Sequence, residues 1–237
     1  MARVGAIGDL HAPFHHKDAL PFVLAAADAY GLDTFVCMGD EVDAHQISPS
    51  FKANPDAEMS PTVELRQAKK FLFEMFEEFP DMMVCTSNHT ARPFRKAVDA
   101  GLPSEYLKSY AEILEAPEGW EWADKWEIDG VLYEHGEGFS GMYAHRHAAL
   151  NRMQSVVIGH VHANAGIAEI APPENKKIYG MNVGCLVDNG AYAFAYAKHA
   201  RTKVSLGMGV VIDGIPFYVP MTTRKSGRWD GRVISPF

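Results

Sequence analysis

The chain has no apolar run long enough to cross a bilayer, which takes about 20 consecutive apolar residues. It has little cysteine. Cys37, Cys85 and Cys185 are an odd number, none belongs to a CxxC pair, and each sits in an apolar, strand-like segment. That argues against a disulfide framework and a structural zinc knuckle, and predicts buried, reduced thiols in a reducing compartment. A basic leader with an apolar stretch and a cleavage site is missing, because "ARVGAIGDLH" enters a strand at once. A cytoplasmic protein with no membrane partner is therefore expected. Positive charge is also short: 22 Lys and Arg stand against 30 Asp and Glu, a formal charge of −8. This weighs against sequence-independent nucleic-acid binding over the whole surface. There is no internal repeat and no low-complexity segment.

What is present is ordinary in bulk and unusual in pattern. A hydrophobic content of 47% over 237 residues can bury a sizeable core without crosslinks. Five apolar runs, "RVGAIGDLH", "TFVCMGDEVD", "MMVCTSNH", "GVLYEHGE" and "SVVIGHVH", each read as a strand running straight into a polar cluster. Helical patterns separate some of them. Residues 17 to 30 read as one helix and 142 to 153 as another. Residues 62 to 79 give the clearest helix, with Leu65, Ala68, Leu72, Phe76 and Phe79 on one face and Ser60-Pro61 as cap and first turn. Past residue 175 the pattern turns mainly β, and "IDGIP" predicts a hairpin. Alternating strands and helices with a β-rich end point to an α/β or layered α+β fold.

Two segments stand out by charge. Residues 105 to 129 hold eight acidic and two basic side chains with Trp120, Trp122 and Trp126, and read as an acidic insertion with a local aromatic cluster. "TTRKSGRWDGR" holds four basic residues and one acidic, and reads as a solvated or frayed tail or, less simply, a phosphate-binding arm.

Taken singly, each strand-end cluster has a bland explanation. Asp9 and His11 could be a cap and a core histidine, Asp40 and Asp43 turn residues, Asn88 and His89 loop polar groups. His135, His160 and His162 could be packed histidines. Together they are hard to explain that way, because the carboxyl ends of neighbouring strands share a crevice. Asp9, His11, Asp40, Asn88, His135, His160 and His162 are too many donors for one tetrahedral centre. Their mix of carboxylate, imidazole and amide oxygen suits two divalent first-row cations, Mn first, with Fe, Zn or Ni as alternatives. Such a pair, about 3.5 to 4 Å apart, would hold a bridging hydroxide and clamp a phosphoryl group.

The same blocks resemble the calcineurin-like metallophosphoesterases, whose signature runs DxH, GDxxD, GNH, a lone H, then GHxH. Here they read Asp9-Leu10-His11, Gly39-Asp40-Glu41-Val42-Asp43, Ser87-Asn88-His89, His135 and Gly159-His160-Val161-His162, in order over residues 8 to 162. The resemblance implies one metal held by Asp9, His11, Asp40 and His162. It implies a second held by Asp40, Asn88, His135 and His160, with Asp40 bridging. His89 would be the general acid, and Asp43 would orient or charge-stabilise it. It also implies an α+β fold, a layered β-sandwich flanked by helices (α/β/β/α). The chain is then expected to form one domain over 1 to 237, with inserts at 44 to 60 and 91 to 126.

Ser87 stands where that family has Gly, which would strain a left-handed backbone, and Thr90 replaces a frequent acidic residue. Asp43 is followed by Ala44-His45, not the Arg-Gly of the protein phosphatase branch. Arg92 is the candidate phosphate grip, against a plain surface arginine. His15 and His16 read as rim residues, His45 as a loop residue near the pocket, and His145 and His147 as surface or packing residues. The function implied is hydrolysis of phosphoesters, with phosphodiesters or a broad range favoured and a nucleotide or nucleic acid as one substrate class. A phosphomonoesterase or protein-phosphatase-like enzyme, a nuclease of the kind the family also contains, and a catalytically silent binding scaffold are the alternatives.

Overall fold

The computed structural model describes residues 1–48, 59–171, 177–188, 190 and 203–235. The first expected insert, 44 to 60, lies mostly outside the described residues. Six strands form one sheet in the order β11-β10-β1-β2-β3-β4, with β1 Arg3–Ile7, β2 Thr34–Cys37, β3 Met82–Cys85, β4 Trp120–Ala123, β10 Gly207–Ile212 and β11 Ile215–Pro220. Strands β1 to β4 are parallel, and β10 joins β1 antiparallel with Val4 opposite Val211. The second sheet runs β5-β6-β7-β9-β8, with β5 Lys125–Ile128, β6 Val131–Glu134, β7 Ser155–Ile158, β8 Gly166–Ile170 and β9 Ile178–Asn182. Its centre, β6-β7-β9, is parallel and both edges are antiparallel.

Period-two alternation sorts the apolar side chains into layers. Val4, Ala6, Val36, Met38 and Cys85 of the first sheet meet Val131, Tyr133, Val157 and Met181 of the second, forming a core between the sheets. The opposite residues, Ile7, Cys37 and Val84, face helices α1 (Ala19–Tyr30) and α2 (Pro61–Glu78). Two short helices, α3 (Arg92–Asp99) and α4 (Tyr110–Leu114), follow β3. On the far side Leu132, Val156 and Ile158 pack on Ala144, Ala148 and Ala149 of α5 (Ala144–Arg152). The layers are thus helix, sheet, sheet, helix, as the resemblance implied.

All five expected strands form, and so do the three expected helices. In α2 the Ser60 side chain accepts the Val63 N–H and Pro61 opens the first turn. Its buried stripe is centred on Glu64, Ala68, Phe71, Leu72 and Met75, with Leu65 and Phe76 only half-buried. Each large apolar side chain so buried contributes about 1.5–3 kcal/mol. The hairpin at Asp213-Gly214 turns with positive φ at both residues, 52° and 76°, the conformation a two-residue turn requires. All three cysteines are buried and free. Among the described residues no helix is long and apolar enough to cross a membrane.

The expected local aromatic cluster forms, with Trp120 packed on Trp122 and Phe76, and Trp122 on Tyr110. The acidic stretch also supplies an edge strand to each sheet. Trp120 and Trp122 sit on β4, and Trp126 on β5 packs into the core between the sheets. Their indole N–H groups donate to Phe79 O, Glu41 Oε1 and Val84 O, fixing both edges to the interior. The basic tail is not frayed. Arg228 pairs with Asp18, the Trp229 N–H donates to the same carboxylate, and the Trp229 ring packs edge-on against Phe22.

Candidate metal centre

Every candidate ligand lies just past the carboxyl end of a strand. Asp9 and His11 follow β1, Asp40 and Asp43 follow β2, and Asn88 and His89 follow β3, all in the first sheet. His135 follows β6, and His160 and His162 follow β7, in the second. The five strands are therefore not neighbours in one sheet, as their shared plan suggested. Three come from one sheet and two from the other, and the cleft where both sheets end together gathers the side chains.

The turns that carry them are strained. Asp9, His11, Asp40 and His160 have φ of 45°, 49°, 53° and 64°, a region costing a non-glycine residue on the order of 1–3 kcal/mol. Main-chain bonds hold the first two loops together: His11 N–H donates to Asp40 O at 2.7 Å and Ala12 N–H to Glu41 O at 2.9 Å. Gly39 is required between them, because at its φ of 93° a Cβ would stand 2.8 Å from Cys85 O. Ser87 has no positive φ, so the strain feared for it does not arise. Its Oγ instead accepts the Asp40 and Thr90 N–H groups, both at 3.1 Å, and pairs with Thr90 Oγ1 at 3.0 Å. The Ser87 and Thr90 departures from the family pattern thus act as a pair.

The donors fall into three groups, of which two share Asp40. One is Asp9, His11, Asp40 and His162, the other Asp40, His135 and His160, and the third is His11, Asp43 and His89. In each group the ligand atoms lie within 4.8 Å of one another. Asn88 Oδ1 joins the second group at 3.0 Å from His135 Nε2. These buried His and Asp side chains can hold metal ions.

Their hydrogen bonds turn the open nitrogens inward. His11 Nδ1 donates to Asp43 Oδ1 at 2.7 Å, and its Nε2 faces His162 Nε2 at 3.0 Å and Asp40 Oδ2 at 3.5 Å. His135 Nδ1 donates to Met38 O at 2.8 Å, leaving Nε2 toward His160 Nδ1 at 3.1 Å and Asp40 Oδ2 at 3.5 Å. A second atom fixing the far ring nitrogen is the usual arrangement around metal-bound imidazole. Asp9 supplies the sharpest sign. It is fully buried, and apart from the pull of the His160 main-chain N–H neither carboxylate oxygen has a hydrogen-bond partner; Asp40 Oδ1 also has none. Buried charge left without a partner is costly, and a bound cation would remove that cost.

Electrostatics agree. Burial first, and the Asp40 carboxylate second, push the Asp9 carboxyl well above its usual range. Burial works the same way on Asp40, but His135, His89 and His11 around it hold it below the usual range. Burial lowers His162 to about 3 and His89 to about 4, and also lowers His160. These three rings are neutral near pH 7, the form that ligates metals.

Asp43 and His89 differ from expectation in one respect. The Asp43 main-chain oxygen, not its carboxylate, makes the close bond to His89, accepting from Nδ1 at 2.6 Å; the carboxylate stands 3.4 Å away. Arg92 also engages protein groups, with Nη1 donating to Asp43 O at 2.5 Å and Nη2 lying 2.8 Å from His89 Nε2. His45 is buried with Nδ1 3.6 Å from Asp43 Oδ2. His16 bonds to Gly227 O under the tail, and His15 stacks on Phe71 at 3.5 Å, so neither is a rim residue of the site. His145 is buried in α5 packing, while His147 on the same helix is exposed.

Two supporting residues were not anticipated. Glu64 on α2 accepts the His45 and Gln46 N–H groups at 2.6 and 2.9 Å, anchoring the loop after Asp43. Asn182, at the end of β9, donates Nδ2 to Val161 O and Ala163 O, both at 2.9 Å, and to Asn164 O, while Oδ1 accepts from Gly184 N–H. It pins the loop carrying His160 and His162. The only sequence signal for it was one polar residue closing an apolar strand.

No family model matches the chain, and no curated protein matches it. Among solved structures it is similar to Vacuolar Protein Sorting 29 from Cryptosporidium parvum, at 11% identity and a TM-score of 0.49, over 98% of this chain and 94% of that one.

Proposed function

We propose that the chain is a dinuclear, metal-dependent phosphoester hydrolase acting on phosphodiesters or on a broad set of phosphoesters. The observation that carries this reading is the buried pair Asp9 and Asp40, with unpartnered carboxylate oxygens on each and Asp40 common to two groups of inward-turned imidazoles. Asp9, His11, Asp40 and His162 would hold one divalent cation, and Asp40, Asn88, His135 and His160 the other. Mn is the first candidate, with Fe, Zn or Ni next. When bound, such a pair supplies the Lewis acidity that activates a water and offsets charge on the phosphoryl oxygens.

The protein groups do the rest. Asp43 holds His11 in one tautomer through its carboxylate and His89 through its main-chain oxygen. Because a carbonyl oxygen only accepts, the His89 Nδ1 proton is fixed there. Nε2 therefore accepts from Arg92 Nη2 in the neutral ring. To act as the acid, His89 would take a second proton on Nε2 when substrate binds and pass it to the leaving oxygen, while Arg92 would turn from that nitrogen to a phosphoryl oxygen.

Hydrolysis of bis-(p-nitrophenyl) phosphate and p-nitrophenyl phosphate, by metal-stripped protein resupplied with Mn, Ni, Zn or Mg, tests the reading. Metal-dependent cleavage of the diester supports it and directs attention to nucleotides and nucleic acids. Cleavage of the monoester alone replaces it with a phosphatase. Silence on both, with two cations bound, leaves a binding scaffold.

A further inference from the structure

A cavity of about 260 Å³ lies beside the candidate acid, lined mainly by Val42, Ala44, Ile47, Leu65, Pro93 and Ile113. Two lining residues adjoin those that hold His89. Ala44 follows Asp43, whose main-chain oxygen accepts from His89 Nδ1, and Pro93 follows Arg92, whose Nη2 lies against His89 Nε2. Arg92 also reaches Ala44 O at 3.5 Å, tying the cavity wall to the acid. The cavity wall thus adjoins, through Ala44 and Pro93, the two residues that hold His89.

Its chemistry is equally one-sided. Glu64 reaches its wall, but that carboxylate is already spent on the His45 and Gln46 N–H groups. The remaining surface is aliphatic, apart from the Tyr110 side chain. An apolar cavity of roughly 150 Å³ binds benzene and stays dry, so this one has room for two fused rings.

We propose that this cavity takes the apolar part of the substrate's leaving alcohol, an aryl or branched alkyl group of about the size of naphthol. The inference rests on the phosphoester-hydrolase reading for its role, but occupancy of the cavity can be tested without turnover.

The first test is binding of 2-naphthol to the full chain, followed by methyl NMR of Ile47, Leu65 and Ile113. Saturable shifts confined to these methyls in the wild type, lost in Ile113→Trp and in Leu65→Trp, support the proposal. Two filling variants guard against one failing to fold. No saturable shift, or shifts unaffected by either folded variant, overturns it whatever the activity. The second test compares kcat/KM for methyl phenyl and methyl 2-naphthyl phosphate with Mn. The larger leaving group should gain at least about tenfold, as apolar pockets confer, and the gain should vanish in Ile113→Trp while methyl p-nitrophenyl phosphate is hydrolysed as before. Naphthol binding with no turnover of any ester would refute the hydrolase reading and the leaving-group role, leaving only an apolar ligand site. Turnover without naphthyl preference or naphthol binding would refute the cavity assignment and leave the hydrolase reading standing.

Discussion

Asp43 Oδ1 lies 2.7 Å from His11 Nδ1, while the main-chain oxygen of Asp43 lies 2.6 Å from His89 Nδ1. One residue thus fixes two rings through two different groups, and substitution can separate them. Asp43→Ala removes the carboxylate that holds His11 and keeps the carbonyl that holds His89. Metal affinity should fall about 10- to 100-fold, as for other residues behind a metal-bound imidazole. Titration calorimetry with Mn measures this. Unchanged affinity would mean that His11 is oriented by something else.

His89→Ala removes the ring whose Nε2 faces Arg92 and spares the two groups that share Asp40. Two equivalents of metal should still bind. For an alkyl phosphoester, whose leaving oxygen needs a proton, kcat should drop about 10² to 10⁴-fold. The loss should be smaller for p-nitrophenol, a good leaving group. Equal losses on both would point to damaged positioning and away from acid catalysis.

Asp40→Asn tests the shared carboxylate. Asp40 Oδ2 stands 3.5 Å from both His11 Nε2 and His135 Nε2, in opposite groups. Losing its charge should weaken both cations together, seen as a stoichiometry well below two by elemental analysis after dialysis. Retention of one cation at full affinity would end the bridging role.

Much of this site was legible in the sequence because strand ends are. An apolar run closing on Asp, Asn or His places those side chains in a crevice whichever sheet they come from, so all seven donors converge as expected. What was not legible depends on backbone conformation and on long-range pairing. Nothing in "IGHVH" shows that His160 has positive φ, nor that β9 sends Asn182 back to clasp the following loop. The tail misled for the same reason. Its four basic residues are exposed, as their composition suggests, but nothing near them in sequence shows that Asp18, some 210 positions earlier, lies under Arg228 and orders the tail. Ser87 shows the reverse case, where a residue that departs from the family pattern proves to be a hydrogen-bond hub.

The tail clamp gives a pH prediction. The Arg228 guanidinium, by hydrogen bonding foremost, holds the Asp18 carboxyl at about 2 against an ordinary 3.8. A carboxyl depressed in the folded state stabilises fully above its unfolded value and loses that contribution as pH falls through its folded one. Asp18→Asn should therefore lower the urea midpoint at pH 7. The difference from wild type should shrink as pH falls from about 4 toward 2. A difference that stays constant across that range would show that the bond, not the charge, matters.

Asn182 offers the last test, because its role separates stability from chemistry. Its Nδ2 serves the carbonyls of Val161, Ala163 and Asn164 within the loop that ends the GHxH block. Asn182→Ala leaves these acceptors without their donor inside a folded loop, which costs about 1–3 kcal/mol per group left buried and unpaired. The urea midpoint should fall with an unchanged slope, since the surface exposed on unfolding is the same. Metal affinity should fall as well, because His160 and His162 ride on that loop. Asn182→Asp keeps the size and the bond from Gly184 N–H but turns a carboxylate toward the same carbonyls, so it should rescue neither. If stability falls while metal affinity holds for both variants, the loop carries His160 and His162 rigidly without Asn182, and its contribution is to the fold alone.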